Sequence, residues 1–390
     1  IFQIHRQCFS NPKEETMWKK FLLAFSLSFF VSLNWAAAAG FDITDIEGRQ
    51  IHFDKQPKTF IVANYIANFL MVGGKDNLSK VTALTKDGWE DTRYGEYQVF
   101  TRSFPILKEL PSIGGYHDDI LNAERILSLH PDVLLIGRTQ YTENNQRIKT
   151  FEKAGIKVVV LDYHAMTTEN HTKSTEILGK LLGREEIAQA QNKTYKEALD
   201  HVFNIIDKLP PEQKGAKTYM ETASKGVARY GNSYNKDVLW GSILKNLQAA
   251  NLAENSPQPY LPLDKEFVIS QNPKFIFLGG SIWRNKSEGD QMRMGFTVPE
   301  EQAQERLEKF THRPGWDKLD AVKNNRVYAV DHGSLRNMAD YTFTQYIAKQ
   351  LYPEAFKDID PVKNLHDYYA AYLPELKYDG TFMIHLSKTK

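Results

Sequence analysis

Residues Glu124–Gly137 read ERILSLHPDVLLIG. The apolar pair Ile126-Leu127 followed by Leu129 gives a short helical face, and Pro131 stops the helix. Val133–Ile136 is a continuous apolar run closed by Gly137, the pattern of a strand buried on both faces. A second stretch, EFVISQNPKFIFLG over Glu266–Gly279, repeats the unit step for step. Glutamate, serine, proline and glycine coincide at Glu124/Glu266, Ser128/Ser270, Pro131/Pro273 and Gly137/Gly279. Each acid stands two residues after a helix-capping type, Asn122 or Asp264, and so falls in a first helical turn. One carboxylate there complements the helix dipole. Two at equivalent places predict an exposed acid on each half of the molecule, set to meet a two-sided basic partner.

Between the copies, Arg184–Leu209 carries apolar residues at three- and four-residue steps (Ile187, Tyr195, Ala198, Val202, Ile205, Ile206) and ends at Pro210-Pro211. This predicts one long helix joining the halves. Further buried strands are expected at FIVAN (60–64), VTALT (81–85), KVVVLD (157–162), AKTYMET (216–222) and RVYAVD (326–331), with short helices between them. Strand–helix alternation of this kind predicts an α/β fold: two Rossmann-like lobes with mostly parallel sheets, joined by a single long α-helix. The expected boundaries are 41–183 for the first lobe, 184–209 for the bridge, 210–355 for the second lobe and 356–390 for a tail wrapping it. FDITDI and RQIHF alternate like two strands about Glu47-Gly48.

The 390 residues carry 49 Lys+Arg against 48 Asp+Glu, so no global field favours nucleic acid or an acidic membrane. From Met17 the chain runs MWKKFLLAFSLSFFVSLNWAAAAG, a positive pair, an apolar run and small residues; residues 17–39 are expected to be a secretory signal, and 1–16 an upstream extension. The single cysteine, Cys8, precedes that segment. The exported chain is therefore expected to lack disulfides, thiolate ligands and a lipid-anchored cysteine, and to be free in the periplasm.

In open α/β sheets ligands sit beyond the carboxyl ends of the strands, and clefts between lobes are preferred pockets. This selects Asn64 and Tyr65 after the first strand, Trp89 after the second, Tyr116 before the Glu124 helix, and Arg138 and Tyr141 after Val133–Gly137. In the second half it selects Tyr230, Tyr234, Tyr260, Trp283, Arg284, His332 and Arg336. Arg138 and Arg284 follow equivalent strands, which suggests a shared role. Arginine forks suit carboxylate, catecholate or hydroxamate oxygens, and aromatic rings suit flat walls. His332 or a cleft tyrosine could ligate a metal directly; Met292 and Met294 read as gap-fillers. Trp316 and Tyr328 read as core. There is no G-x-G-x-x-G after the first strand, no phosphate loop and no H-E-x-x-H, so an enzyme is not expected.

Asn122–Ile136, NAERILSLHPDVLLI, resembles the N-x-E-x-I-x-x-L-x-P-D signature of periplasmic binding proteins that serve ABC importers of iron–siderophores, haem and cobalamin. Pro314–Asp331 and the helix ending IAKQLYPEAF are similar to the same family. The resemblance implies helix-bridged lobes, a ligand in the cleft, and one glutamate per lobe, here Glu124 and Glu266, docking onto arginines of a permease dimer. It implies no catalytic cofactor, a monomer, and a metal chelate as cargo, first a ferric siderophore. Haem, cobalamin, a nickel chelate and a molybdate-type oxyanion stay open as alternatives, with a two-lobed periplasmic enzyme more distant. The polar stretch 285–299 and the tail after Tyr352 depart from the simplest members.

Overall fold

The computed structural model describes residues 40–116, 120–284 and 289–387. The expected signal segment lies outside them, as do residues 285–288 of the polar stretch. Among the described residues, those of 43–51 and from 57 onward form one compact unit, which contains both lobes, and 40–42 with 52–56 belong to the other. Strands β1 (Phe41–Thr44) and β2 (Gln50–Phe53) occupy the two alternating runs near the start.

The first lobe is built on four parallel strands: β3 (Phe60–Val62), β4 (Val81–Leu84), β5 (Val133–Gly137) and β6 (Lys157–Leu161), in the order β4-β3-β5-β6. All five residues of β5 are buried, as a strand paired on both sides and covered on both faces must be. The helices α1 (Ile66–Leu78), α2 (Asp87–Thr92), α3 (Tyr94–Ser103), α4 (Ala123–Leu129), α5 (Asn145–Lys153) and α6 (Thr168–Leu182) fill the crossovers. The sequence suggests that α1 stops at Gly73-Gly74. Instead Gly74 breaks the helical geometry (φ 64, ψ −177) and the helix resumes to Leu78. Only glycine takes that conformation without strain.

The bridge is α7 (Glu185–Asp207), 23 residues and roughly 35 Å at the α-helical rise. It buries Ala188, Gln191, Tyr195, Leu199, Val202 and Ile206. The second lobe holds β7 (Lys217–Thr222), β8 (Asn232–Tyr234), β9 (Ala250–Asn251), β10 (Tyr260–Pro262), β11 (Phe275–Gly280), β12 (Gly295–Phe296), β13 (Val327–Asp331), β14 (Gly380–Thr381) and β15 (Met383–His385). Its main sheet runs β10-β8-β7-β11-β13-β15, with β7, β11 and β13 parallel and the outer strands antiparallel. The segment ARYGNSY, expected to follow a strand, itself supplies β8. Helices α8 (Leu239–Asn246), α9 (Lys265–Gln271), α10 (Glu300–Thr311), α11 (Tyr341–Leu351) and α12 (Pro361–Tyr372) complete the lobe. The tail after Tyr352 contributes α12 and both closing strands, and β15 pairs with β13 as an edge of the main sheet.

The duplicated unit is the same structure twice. Asn122 accepts a hydrogen bond from the Arg125 amide at 3.0 Å, and Asp264 accepts one from the Phe267 amide at 3.0 Å. Ser128 and Ser270 each donate back to the carbonyl three residues earlier. Each helix ends on a left-handed residue, His130 (φ 42) or Asn272 (φ 44), before the proline and the central strand of its sheet. Glu124 and Glu266 are both exposed in the first turns. Met292 and Met294 are buried in the core of the second lobe, as gap-fillers should be, and Trp316 and Tyr328 are buried too.

Among the described residues no helix is long and apolar enough to cross a membrane.

Candidate functional site

The ends of β3, β4, β6 and β13 converge on a cavity of about 40 Å³ lined from both lobes. From the first lobe come Asn64, Tyr65, Asn68, Thr85, Trp89, Arg93, Glu96, Tyr116 and His164; from the second come Leu335, Arg336 and Asn337. Two of these residues hold left-handed backbone without being glycine: Tyr65 (φ 63) and Arg336 (φ 71). Such conformations cost of order 1–3 kcal/mol each and persist only where surrounding bonds impose them. Here they face each other across the lobes. Asn68 donates from its amide to the Arg336 carbonyl at 3.0 Å, and Asp340 accepts the Arg336 amide N–H at 3.2 Å. Asp340 also accepts from the Tyr195 hydroxyl of the bridge (2.9 Å) and lies 3.0 Å from His171 Nε2 on α6. The arginine loop is thereby tied to both lobes and to the bridge.

The cavity is electropositive. Arg336 is 9% exposed, its guanidinium donates to the His332 carbonyl at 3.0 Å, and no carboxylate of the described residues pairs with it. Burial, then the nearby Arg93, press its guanidinium below the ordinary value; an arginine nevertheless stays charged. Arg93 sits between α2 and α3, 3.7 Å from Glu96, and its Nε is buried without a hydrogen-bond partner. Burial acts to lower it, but Glu96 and Tyr116 outweigh that and hold it above the guanidinium norm. For Glu96 burial prevails over Arg93 and Arg336, and its carboxyl titrates above the usual range. Burial pushes the Tyr116 phenol up, yet Arg93 and Arg336 outweigh it and the phenol lies below its ordinary value.

Both histidines near the cavity are neutral. Burial, reinforced by Arg336 and Arg93, drives His164 and His332 far below the normal imidazole range. The Tyr65 phenol is pushed up by burial and then by Asp162, keeps its proton, and shares a hydrogen bond of 2.7 Å with His164 Nδ1. The Trp240 indole donates to His332 Nδ1 at 2.9 Å. The His332 ring is left with an Nε2–H donor. The two guanidinium forks present donors to the cavity, suited to the oxygens of an anion. Among the described residues no group of three or more His, Cys, Asp or Glu could hold a bare metal ion.

Of the residues expected from the strand-end rule, Asn64, Tyr65, Trp89, Tyr116 and Arg336 line this cavity. Tyr234, buried edge-on to the half-exposed Tyr260, and His332 stand behind Arg336, which biases the phenols of both tyrosines and the His332 ring. Those three and five more expected residues do not line it. Arg138 opens a short helix directly at the end of β5, which turns its side chain outward to Glu47 at 2.7 Å. Gln140 takes the inward place, donating to the Ala63 and Gly115 carbonyls. Tyr141 packs on the first-lobe core beneath Arg49. Tyr230 turns into the second lobe, where its hydroxyl accepts from Trp316 Nε1 at 2.6 Å. Arg284 pairs with Glu90 and lies over the Tyr94 ring, so it pins the rim between lobes; Trp283 beside it is half-buried. The equivalence of Arg138 and Arg284 therefore does not extend to a shared site. Reasoning from sequence missed Arg93, Glu96 and His164. His164 lies three residues past β6 and obeyed the strand-end rule; Arg93 and Glu96 lie too far past β4 for it.

Gly88 fits this site because nothing else can. A Cβ there would stand 1.7 Å from Cδ1 of Tyr116. Gly88→Ala is expected to displace the Tyr116 ring, lowering stability by about 1–3 kcal/mol through overpacking and weakening ligand binding with it. Urea unfolding and ligand titration of the variant check both effects.

Comparison with known proteins places this geometry. The family model described as "Periplasmic binding protein" matches residues 63–332. The crystal structure of the TroA-like periplasmic binding protein FepB from Veillonella parvula superposes with a TM-score of 0.83 at 31% identity, covering 89% of this chain and 99% of that one. The molybdate-binding protein MolA of Haemophilus influenzae is 24% identical over 90% of this chain and 95% of its own length. YvrC of Bacillus subtilis, an uncharacterized ABC transporter substrate-binding lipoprotein, is 24% identical over 64% of this chain and 71% of its own.

Proposed function

This chain belongs to the periplasmic binding protein family, and we propose that it captures a compact metal oxyanion of the molybdate class between its lobes and delivers it to an ABC importer. The observation that carries the ligand class is the pair of guanidiniums, Arg336 buried and Arg93 largely so, brought together from opposite lobes around about 40 Å³. Two cations meet only one carboxyl in the lining itself and are under-neutralised there, and holding charge away from water without a partner is costly. An anion removes that cost. The volume admits a few water-sized groups, which suits a tetrahedral oxyanion rather than a large chelate. The likeness to MolA over most of both chains supports the same reading.

A second reading, the ferric siderophore, is favoured by the aromatic walls Trp89 and Tyr116. Catecholate or carboxylate oxygens would meet the same arginines, with the lobes further apart. Titrating the fluorescence of the protein, in which Trp89 faces the cavity, separates the two. Saturable change with molybdate or tungstate supports the oxyanion. A response to ferric siderophores alone supports the chelate.

In this proposal Glu124 and Glu266 dock onto basic residues of the permease, one per lobe, and the protein acts as a monomeric carrier in the periplasm rather than as an enzyme. Exposed ion pairs are individually weak, which suits a carrier that docks and leaves. Reversing both charges (E124K with E266K) is expected to abolish uptake in cells while leaving ligand affinity within about twofold, because rim charges act on association rather than on a distant cavity. Unchanged uptake removes the docking role.

A further inference from the structure

A carboxyl has no evident place in an anion site, yet Glu96 lines this one. Its side chain is 11% exposed and that of Arg93 20%, and both line the cavity. Glu96 is 3.7 Å from Arg93, too long for a charge-assisted hydrogen bond, and the arginine's Nε stays unpaired. The indole N–H of Trp89 lies beside Glu96 and favours its ionised form, but without the geometry of a full hydrogen bond. The acid is therefore not fully engaged in holding its neighbours. An ionised carboxylate would repel a bound oxyanion at the same wall. A protonated one would donate to it.

Resting on the reading of the cavity as an anion site, we propose that Glu96 is a specificity-determining residue, and that the site binds its oxyanion together with one proton held between the Glu96 carboxyl and an anion oxygen. The proton comes from solvent when the anion carries none, or from the anion itself when it is a hydrogen-oxyanion; no bond to the anion's central atom forms or breaks. Among the groups that line the cavity two guanidiniums face one carboxyl, so a protonated Glu96 leaves two positive charges there for a dianion, while Asp331 acts on Arg93 from behind the lining. Every charged or titratable group around Glu96 fits this account. Arg93 and Arg336 favour its ionised form when the cavity is empty, and an anion cancels that influence. Tyr116 on the adjoining loop and Tyr369 on α12 are phenols that face the same region. Asp331 at the end of β13 is raised to about 6 by burial, but its oxygens accept from Ser334 and the Gly333 amide, away from the cavity lining. The proton is therefore assigned to Glu96 rather than to Asp331.

The test is calorimetric titration of the full chain with molybdate, tungstate and ferric citrate at neutral pH, in Tris and in PIPES, whose ionisation heats differ. For each oxyanion that binds, the wild type is expected to take up about one proton and to bind about tenfold tighter per unit fall in pH. Glu96→Gln is expected to bind with no uptake and a flat pH profile. Binding whose heat is independent of buffer, or equal uptake in wild type and E96Q, overturns the role of Glu96 while leaving the anion site standing. So does uptake lost in Asp331→Asn but kept in E96Q. No binding by any of the three anions removes the anion site and this inference together.

Discussion

Arg336→Ala is expected to raise the dissociation constant by about 30-fold to several thousand-fold, the equivalent of roughly 2–5 kcal/mol for a desolvated charge contact. The same change is expected to leave the empty protein as stable as before, or more stable. Arg336 is buried without a carboxylate partner, is repelled by Arg93, and sits at φ 71. In the absence of ligand it contributes cost on each count. Arg336→Gly should separate the effects further, because glycine accepts the left-handed backbone. Its affinity falls as for alanine while its unfolding midpoint does not fall. Arg336→Lys keeps the charge but loses the planar fork, so it should lie between wild type and alanine. Calorimetric titration and urea unfolding of the three variants provide the check. Should stability collapse together with affinity, Arg336 is a structural residue and the strained-site interpretation fails.

The second large effect lies away from the cavity. Arg313 is fully buried, its guanidinium donates to both oxygens of the buried Glu221 at 2.6 and 3.0 Å, and it binds the carbonyls of Gly226, Val227 and Arg229. It is packed between the rings of Tyr230, Phe310 and Trp316, each within 5 Å. Glu221 also accepts from the Tyr219 hydroxyl and the Gly231 amide. One side chain thus holds the loop that leads from β7 to Tyr234. Arg313→Ala leaves a buried carboxylate without its cation and takes the donor from three carbonyls, and is expected to destabilise the protein by about 3–5 kcal/mol. Adding Glu221→Gln to that variant should restore part of the loss. A loss under about 1 kcal/mol, typical of a surface pair, would show that the loop is held by something else.

The fold was largely legible because its signals are local. An N-capping Asn122 or Asp264, a stop at Pro131 or Pro273 and an unbroken apolar strand each act within a few residues, so the duplicated unit could be read directly and recurs in the structure with the same bonds. The long helix was equally plain from its three- and four-residue periodicity. The cavity was only partly legible. Residues one to four positions past a strand, such as Asn64, Tyr65 and His164, are placed by the strand itself. Arg93 and Glu96 are placed by the turn between two short helices, and Arg336 by bonds from Asn68 and Asp340, distant in sequence. Sequence symmetry also misled where the halves diverge. β5 runs straight into a helix at Arg138, whereas β11 runs into an irregular segment that carries Arg284, so one arginine turns outward to Glu47 and the other closes the rim.

In the proposed complex an anion is gripped by guanidiniums from both lobes. Crystals grown with sodium molybdate, with diffraction data collected at an energy where molybdenum scatters anomalously, test it most directly. The expected result is a single strong anomalous peak between Arg93 and Arg336, with the oxygens around it about 3 Å from nitrogens of both guanidiniums. A molybdenum peak anywhere else, or a fully bound crystal with either arginine turned away, would contradict it.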